Sequence, residues 1–208
     1  MISFKRIRYK NFLSTGNIPI EVELNKSATT LIVGSNGSGK STLLDALCYA
    51  LFNKPFRIIK KDQMVNTINN GDTLVEVEFE VGTNQYMIRR GIKPNLFEIY
   101  QNDKLINQDA SNIDYQKYLE QNIMKLNYRS FIQVVILGSS SYEPFMKMKP
   151  RYRREVVEEI LDIRVFGLMD LLLRSQQSDL QKKLTEVRHQ AELIKTKYET
   201  EAKHLKSL

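Results

Sequence analysis

Gly34-Ser-Asn-Gly-Ser-Gly39-Lys40-Ser41 fits the spacing G-x-x-x-x-G-K-[ST], and each residue type in it suits phosphate chemistry. Glycines let a loop wrap until successive backbone N–H groups point inward at phosphate oxygens. A helix that starts where the loop ends adds the positive end of its dipole to the same anion. Lys40 supplies a compact positive charge for β- and γ-phosphates, Ser41 a hard hydroxyl oxygen for Mg²⁺, and Thr42 a donor on the α-phosphate side. The predicted cofactors are therefore ATP and Mg²⁺, bound by Ser35, Asn36, Gly37, Ser38, Gly39, Lys40, Ser41 and Thr42. Lys40 and Ser41 are the members expected to act on the phosphates. The plain alternative is a flexible Gly/Ser loop that binds nothing; a β-branched run before the loop and a helical one after it argue against that. Asn36 either caps the nucleotide or closes a local turn. Ser14 and Thr15 either line the adenosine side or serve only a hairpin turn.

Binding is not yet hydrolysis. A P-loop ATPase needs a second acid after an apolar strand to hold the magnesium shell, and commonly a glutamate to polarise water. No run of four aliphatics in this chain ends in Asp-Glu: Val134-Val-Ile-Leu137 leads into Gly-Ser-Ser-Ser, and Leu74 to Val81 alternates glutamates throughout. The catalytic acid is expected outside these residues.

Elements must position the loop. Ile2, Phe4, Ile7 and Tyr9 mark an opening strand and Ile18 to Leu24 a second, with Asn11 to Asn17 as the turn of a hairpin. Thr29 to Val33 is expected as a short strand entering the loop, and Leu43 to Phe52 as the helix leaving it, burying Leu44, Leu47 and Leu51. Leu74 to Val81, Gln85 to Arg90 and Leu96 to Tyr100 read as a meander. Ser111 to Met124 reads as a helix capped by Ser111 or Asn112, and Phe131 to Leu137 as a buried strand. Pro150 suits the first turn of a helix. From Leu173, a heptad with a positions at 173, 180, 187, 194, 201 and 208 and d positions at 177, 184, 191, 198 and 205 is apolar at nine of eleven sites. Such a narrow stripe predicts a coiled-coil strand, whose partner helix must come from another segment or chain. The expected domains are residues 1–170, a globular lobe, and 171–208, an ascending arm.

Composition restricts the setting. The 208 residues hold 31 Lys and Arg against 24 Asp and Glu, a net charge of +7 that suits an anionic partner. One cysteine, Cys48, excludes an internal disulfide and a multi-Cys zinc site, and two histidines, His189 and His204, make no metal cluster. Cys48 reads as a small buried hydrophobe. No apolar stretch is long enough to span a bilayer, and the charged start lacks a secretory h-region, so a cytoplasmic setting is expected. Basic clusters at Lys54, Arg57, Lys60 and Lys61, at Arg89, Arg90 and Lys93, and at Lys147 to Arg154 are candidates for DNA phosphates, as are Lys182 and Lys183. Against each stands the reading of an ordinary solvated surface.

The segments Lys10 to Gly16 (KNFLSTG), Gly34 to Leu47 (GSNGSGKSTLLDAL) and Ser130 to Gly138 (SFIQVVILG), followed by a helix running into an arm, resemble the ATP-binding-cassette heads of coiled-coil genome-maintenance proteins. Within these, the chain is most similar to the ATPase subunit of the double-strand-break repair nuclease complex, SbcC-like and SMC-related, with phage members nearest in wording. The resemblance implies an α/β fold: a P-loop ABC-type ATPase head (N-terminal lobe, mixed sheet with an antiparallel meander) followed by a long coiled-coil helix. It implies an N-terminal half-cassette whose Walker B strand, signature motif and hinge follow the coiled coil. It further implies these partners: the C-terminal half of the same ATPase, a second head in an ATP-dependent homodimer, a repair nuclease subunit near the arm root, and double-stranded DNA ends. Two positions depart from the family pattern. Leu13 stands where an arginine is common, and Gly138-Ser139-Ser140-Ser141 stands where a Q-loop glutamine would reach Mg²⁺, which makes Ser139 the candidate replacement. The competing reading is a condensin-type head that clamps DNA without a nuclease; a self-contained P-loop kinase ranks last, since it would need its own second acid and no polar arm.

Overall fold

β3 (Thr73–Val81) alternates apolar and acidic residues, and that alternation assigns its two faces. Val75, Val77 and Phe79 are buried, while Glu76, Glu78 and Glu80 point to the opposite side. There the acids meet cations from both neighbouring strands, β1 (Ile2–Lys10) and β4 (Asn84–Ile92). Glu80 pairs with Lys5 at 2.9 Å, Glu78 with Arg6, and Glu76 with Arg8 at 3.7 Å and Arg89 at 2.7 Å. Cross-strand pairs of opposite charge favour this register over its neighbours.

The computed structural model describes residues 2–106, 112–136, 144–161 and 163–206. It divides into two units, Met1–Ile160 and Leu161–Leu208. In the first unit β2 (Ile20–Glu23), β5 (Leu96–Gln101) and β6 (Lys104–Leu105) complete a six-stranded sheet of order β2-β1-β3-β4-β5-β6. Every pairing is antiparallel, so the described sheet is not mixed as expected. A bulge between Phe4 and Arg6 shifts the strand's parity, and so lets Phe4, Ile7 and Tyr9 all serve the apolar side.

α1 (Thr42–Phe52) covers that apolar side and contacts β3 and β4. Ten of its eleven residues are buried, which is why the helix reads apolar nearly all round. Leu47 and Leu51 are buried as expected and Leu44 is half-buried. Tyr49 stacks on Phe12 with ring centroids 5.5 Å apart, and its hydroxyl donates to the Gly91 carbonyl at 3.3 Å. Asn53, in the left-handed conformation at φ 56°, closes the helix by donating its N–H to the Tyr49 carbonyl.

The helix expected over 111–124 is α2 (Asn112–Tyr118) continued by a π-helical stretch, Leu119–Met124, which puts Leu119, Ile123 and Met124 in the core. Position 111 lies outside the described residues. Two further expectations fail. Residues 128–134 form a helix, α3 (Tyr128–Val134), and not a strand. The Asn127 side chain accepts from the Ser130 N–H at 2.9 Å and so caps that helix, while Glu159 accepts from the Asn127 N–H at 3.0 Å and its side chain at 2.9 Å. Glu159 lies on α4 (Pro150–Ile160), which starts at Pro150 as expected. Residues 29–33 carry no ladder in the described structure, and Leu31 and Val33 are more than four-fifths exposed.

The second unit is one helix, α5 (Arg164–Lys206), of 43 residues, about 65 Å long at the standard rise. The heptad residues Leu173, Leu180, Leu184, Val187, Ile194 and Tyr198 are all more than half exposed along it. Among the described residues no helix is long and apolar enough to cross a membrane.

Candidate nucleotide-binding site

The loop from Gly34 to Ser41 leads from a segment without regular secondary structure into the first turn of α1. Gly37 and Gly39 adopt φ of +87° and +92°, which side chains rarely tolerate, so glycine is required for the wrap itself. Within the loop Ser38 donates its N–H to the Ser35 carbonyl at 3.2 Å, and Thr42 donates to Gly39 at 3.0 Å. The Lys40 ammonium turns into the loop and donates to the Gly34 and Ser35 carbonyls at 2.5 and 2.8 Å. Ser41 occupies the cap position of α1 without using its hydroxyl to cap the helix.

A cavity of about 600 Å³ opens beside this loop. Its wall takes Leu13 and Ser14 from the turn after β1, then Asn36, Gly37, Gly39, Lys40, Ser41 and Thr42 from the loop and the start of α1. The rest comes from the segment between α1 and β3, namely Arg57, Ile59, Gln63, Val65 and Thr67. Among the described residues two cations, several hydroxyls and amides, and three aliphatic side chains line it, and no carboxylate does. That donor set fits a polyanion carrying an apolar body, which describes a nucleotide. Among the described residues no group of three His, Cys, Asp or Glu is placed to hold a metal ion; the hydroxyl oxygens in this wall are those of Ser14, Ser41, Thr42 and Thr67.

Asp45, on the first turn of α1, is fully buried and holds Arg57 in the wall. It accepts from the Arg57 backbone N–H at 2.9 Å and from the Arg57 Nε at 2.7 Å. The turn carrying Leu13 and Ser14 is tied down as well. Phe12 bridges to Val65, and Leu13 donates its N–H to the Met64 carbonyl at 2.7 Å. The Thr15 hydroxyl is engaged with both the N–H and the carbonyl of Phe12, so Thr15 is a turn residue and not a cavity residue.

Other predicted positions distribute differently. Ser35 and Ser38 are exposed in the loop but do not line the cavity, and Ser139 lies outside the described residues. Arg57, grouped by sequence with surface lysines, lines the cavity beside the Gly34–Ser41 loop. Arg90 is a correction: it is 5 % exposed, stacks on Phe97 with its guanidinium carbon 3.7 Å from the ring centroid, and donates to the Ala50 carbonyl and the Gln116 side chain. Burial pulls its guanidinium down to about 10, so it remains charged at neutral pH. Arg89 is held between Glu76 and Glu98. Lys54, Lys60, Lys61 and Lys93 are exposed on the first unit, and Lys182 and Lys183 on the second. Lys54 and Lys61 share a cavity of about 630 Å³ with Arg90, Lys117 and Arg129, facing Glu120 and Glu155. The sequence did not single out Ile59, Gln63, Val65 or Thr67, which lie between α1 and β3, Gln63 in a 3-10 turn (Lys61–Met64) and Val65 in a bridge to Phe12, and which the fold brings to the loop.

An antiparallel sheet backing a P-loop helix, followed by a long exposed helix, is a nucleotide-binding head with an arm. Residues 6–207 match the AAA domain family, and the chain belongs to it. It is 43% identical over 182 residues to "Exonuclease subunit 2" of Escherichia phage RB69, covering 86% of this chain and 32% of that protein. It is 30% identical over 184 residues to the "DNA double-strand break repair Rad50 ATPase" of Thermoplasma volcanium, covering 85% of this chain and 20% of the relative. The expected resemblance to repair ATPases therefore holds, and the chain spans about a third or less of the length of these curated relatives. Among solved structures, the Smc head domain with an extended coiled coil from Pyrococcus furiosus, bound there to the C-terminal domain of ScpA, aligns with a TM-score of 0.65 at 19% identity, over 90% of this chain and 48% of that one. The fold is thus that of an SMC-type ATPase head lobe with its rising helix.

Proposed function

We propose that this chain is the ATP-binding half-head of a DNA double-strand-break repair and recombination ATPase, which dimerises on ATP and regulates a partner nuclease acting on DNA ends. The observation that carries the reading is the cavity beside Gly34–Ser41, with two cations and an apolar flank in one wall. The backbone of residues 35–42 and the Lys40 ammonium hold the phosphates, Lys40 exchanging the Gly34 and Ser35 carbonyls for phosphate oxygens. Ser41 holds Mg²⁺, which when bound neutralises phosphate charge and acts as a Lewis acid. Leu13, Ile59 and Val65 receive the nucleoside, and Arg57, fixed by Asp45, adds positive charge beside the phosphates. Among the described residues this wall offers groups that bind triphosphate and no carboxylate to polarise water. The acid that does so belongs to a Walker B strand in the C-terminal half, which also supplies the partner helix of the exposed α5 stripe. A γ-phosphate contacted by two heads gives the closed dimer an affinity that disappears on hydrolysis.

Exposed Lys54, Lys60, Lys61, Lys182 and Lys183 are the proposed contacts to duplex DNA, in a cytoplasmic setting. The repair reading leads because the relatives with 30% identity or more carry exonuclease and break-repair names, whereas the likeness to Smc heads is one of fold. A Cys-x-x-Cys zinc apex on the arm of the full-length protein would favour repair, and a globular hinge would favour the condensin-type clamp. The deciding experiment compares ATP turnover by these 208 residues with turnover after the C-terminal half is added. Weak binding with negligible turnover, rescued by the second half, is expected; robust hydrolysis by the 208 residues alone overturns the split site.

A further inference from the structure

Asn66 is buried between Val65 and Thr67, both of which line the cavity, yet its own side chain turns away from it. The Asn66 amide group donates to the Thr15 carbonyl at 2.9 Å and to the Leu13 carbonyl at 3.3 Å. Its side-chain oxygen accepts from the Ile68 and Asn69 N–H groups at 2.9 and 3.0 Å. Its backbone N–H donates to the Asn11 carbonyl at 3.0 Å, and its carbonyl accepts from Asn70 at 2.8 Å. Both hydrogen-bonding ends of the side chain are therefore in use, one on the tip of the β1–β2 turn and the other on the turn that follows Asn66 before β3.

The tip needs such a clamp. Asn11 and Leu13 have φ of 51° and 53°, a conformation that costs a non-glycine residue free energy unless its surroundings hold it. Asn11 is held through Asn17, Asn69 and the Asp72 carbonyl. For Leu13 and Thr15 the carbonyls are held by Asn66. The Leu13 and Ser14 side chains are the turn's whole contribution to the cavity wall, and the phosphate loop lies on a separate segment.

Resting on the nucleotide-binding reading above, we infer that Asn66 is a positioning residue for the nucleoside half of the ligand. It fixes Leu13 and Ser14 against the base and ribose, and takes no part in gripping the phosphates. Phosphate binding and nucleoside binding are then separable, because Gly34–Ser41 makes its own internal hydrogen bonds and none to Asn66.

The test is made on the full-length protein with two probes, ATP and inorganic tripolyphosphate, by titration calorimetry. Asn66→Asp keeps the shape but turns a carboxylate oxygen toward the Leu13 and Thr15 carbonyls, where the amide had donated. ATP affinity is expected to fall about tenfold while tripolyphosphate affinity stays within about twofold. Asn66→Ser, which removes the clamp without adding charge, is expected to shift the ratio of the two affinities in the same direction. Equal weakening of both probes, or no change in either, in a variant that retains the wild-type far-UV spectrum overturns the assignment. Should Asn66→Asp fail to fold, Asn66→Ser decides alone. A wild-type protein that binds neither probe removes the nucleotide-binding reading itself, a result distinct from an unchanged ratio.

Discussion

Asp45 and Arg57 are joined three times, Oδ1 of Asp45 accepting from the Arg57 backbone N–H at 2.9 Å and Oδ2 accepting from Nε at 2.7 Å and Nη2 at 2.5 Å. The carboxylate is fully buried, whereas the arginine side chain is about two-fifths exposed. The two ends of the pair should therefore respond unequally to mutation. Arg57→Ala strands a buried charge, at a cost of about 3 kcal/mol. Asp45→Asn leaves a guanidinium that can reach water, and should cost about 1–2 kcal/mol. Urea unfolding with unchanged m-values reads both, and the reverse order would contradict the account.

Lys40 donates to two loop carbonyls and faces the cavity. Lys40→Ala in the full-length protein should weaken ATP binding by about tenfold to a hundredfold, the range of one or two lost charge-assisted contacts. Fluorescent-nucleotide titration and steady-state turnover check this; wild-type values in both would remove the loop from the site.

The basic residues separate into two kinds, and DNA binding at varied salt tells them apart. Charge reversal at exposed Lys54 or Lys61 should reduce the slope of log K against log salt by about one per lysine. Arg90→Leu should leave that slope unchanged while lowering the urea midpoint, since it unpairs the Ala50 carbonyl and the Gln116 side chain and removes the stacking on Phe97. A flattened slope in Arg90→Leu would mean that the buried guanidinium reaches DNA after all.

Alkaline pH should loosen the fold. Burial pushes the Cys48 thiol and the Tyr49 and Tyr128 hydroxyls up to about 12, from 9.0 for the thiol and 10.0 for the phenols. Between those limits the folded chain holds more protons than the unfolded one, so unfolding free energy falls as pH rises. The stability these groups contribute is complete below about pH 9 and is lost progressively toward pH 12. Urea midpoints should stay level from neutral pH to about pH 9 and then drop, with the native Cys48 thiol unreactive toward disulfide reagents throughout the level range. A midpoint that climbs above pH 9 would reverse the sign.

Much of this architecture could be read in advance where side-chain spacing alone decides the structure. The alternation in Leu74 to Val81 locates β3 because Glu76, Glu78 and Glu80 must leave the core. Gly37 and Gly39 announce a loop that no other residues could trace. Phe131 to Val135 misleads for the opposite reason. Its β-branched residues suit a strand, but Asn127 caps the segment from the front and Glu159, more than thirty residues away, anchors the cap. The Asn127-x-x-Ser130 spacing was the available signal for a helix start. Thr29 to Val33 has the composition of a strand without a neighbouring ladder, and propensity cannot supply one. Asn66 was illegible because its partners, the Leu13 and Thr15 carbonyls, lie some fifty residues earlier, and Arg57 because it is Asp45, buried on α1, that holds it at the cavity.

The three aliphatic side chains of Leu31, Ile32 and Val33 stand in water immediately before the phosphate loop. In practical terms this puts an adhesive apolar strip beside the loop proposed to hold the nucleotide. Sulfate and other excluded solutes drive such surfaces together, so crowding or salting-out would tend to bury the entrance to the loop. Whatever covers these side chains in an assembled particle would act as a colloidal stabiliser as well as a neighbour, with solubility and nucleotide access rising or falling together.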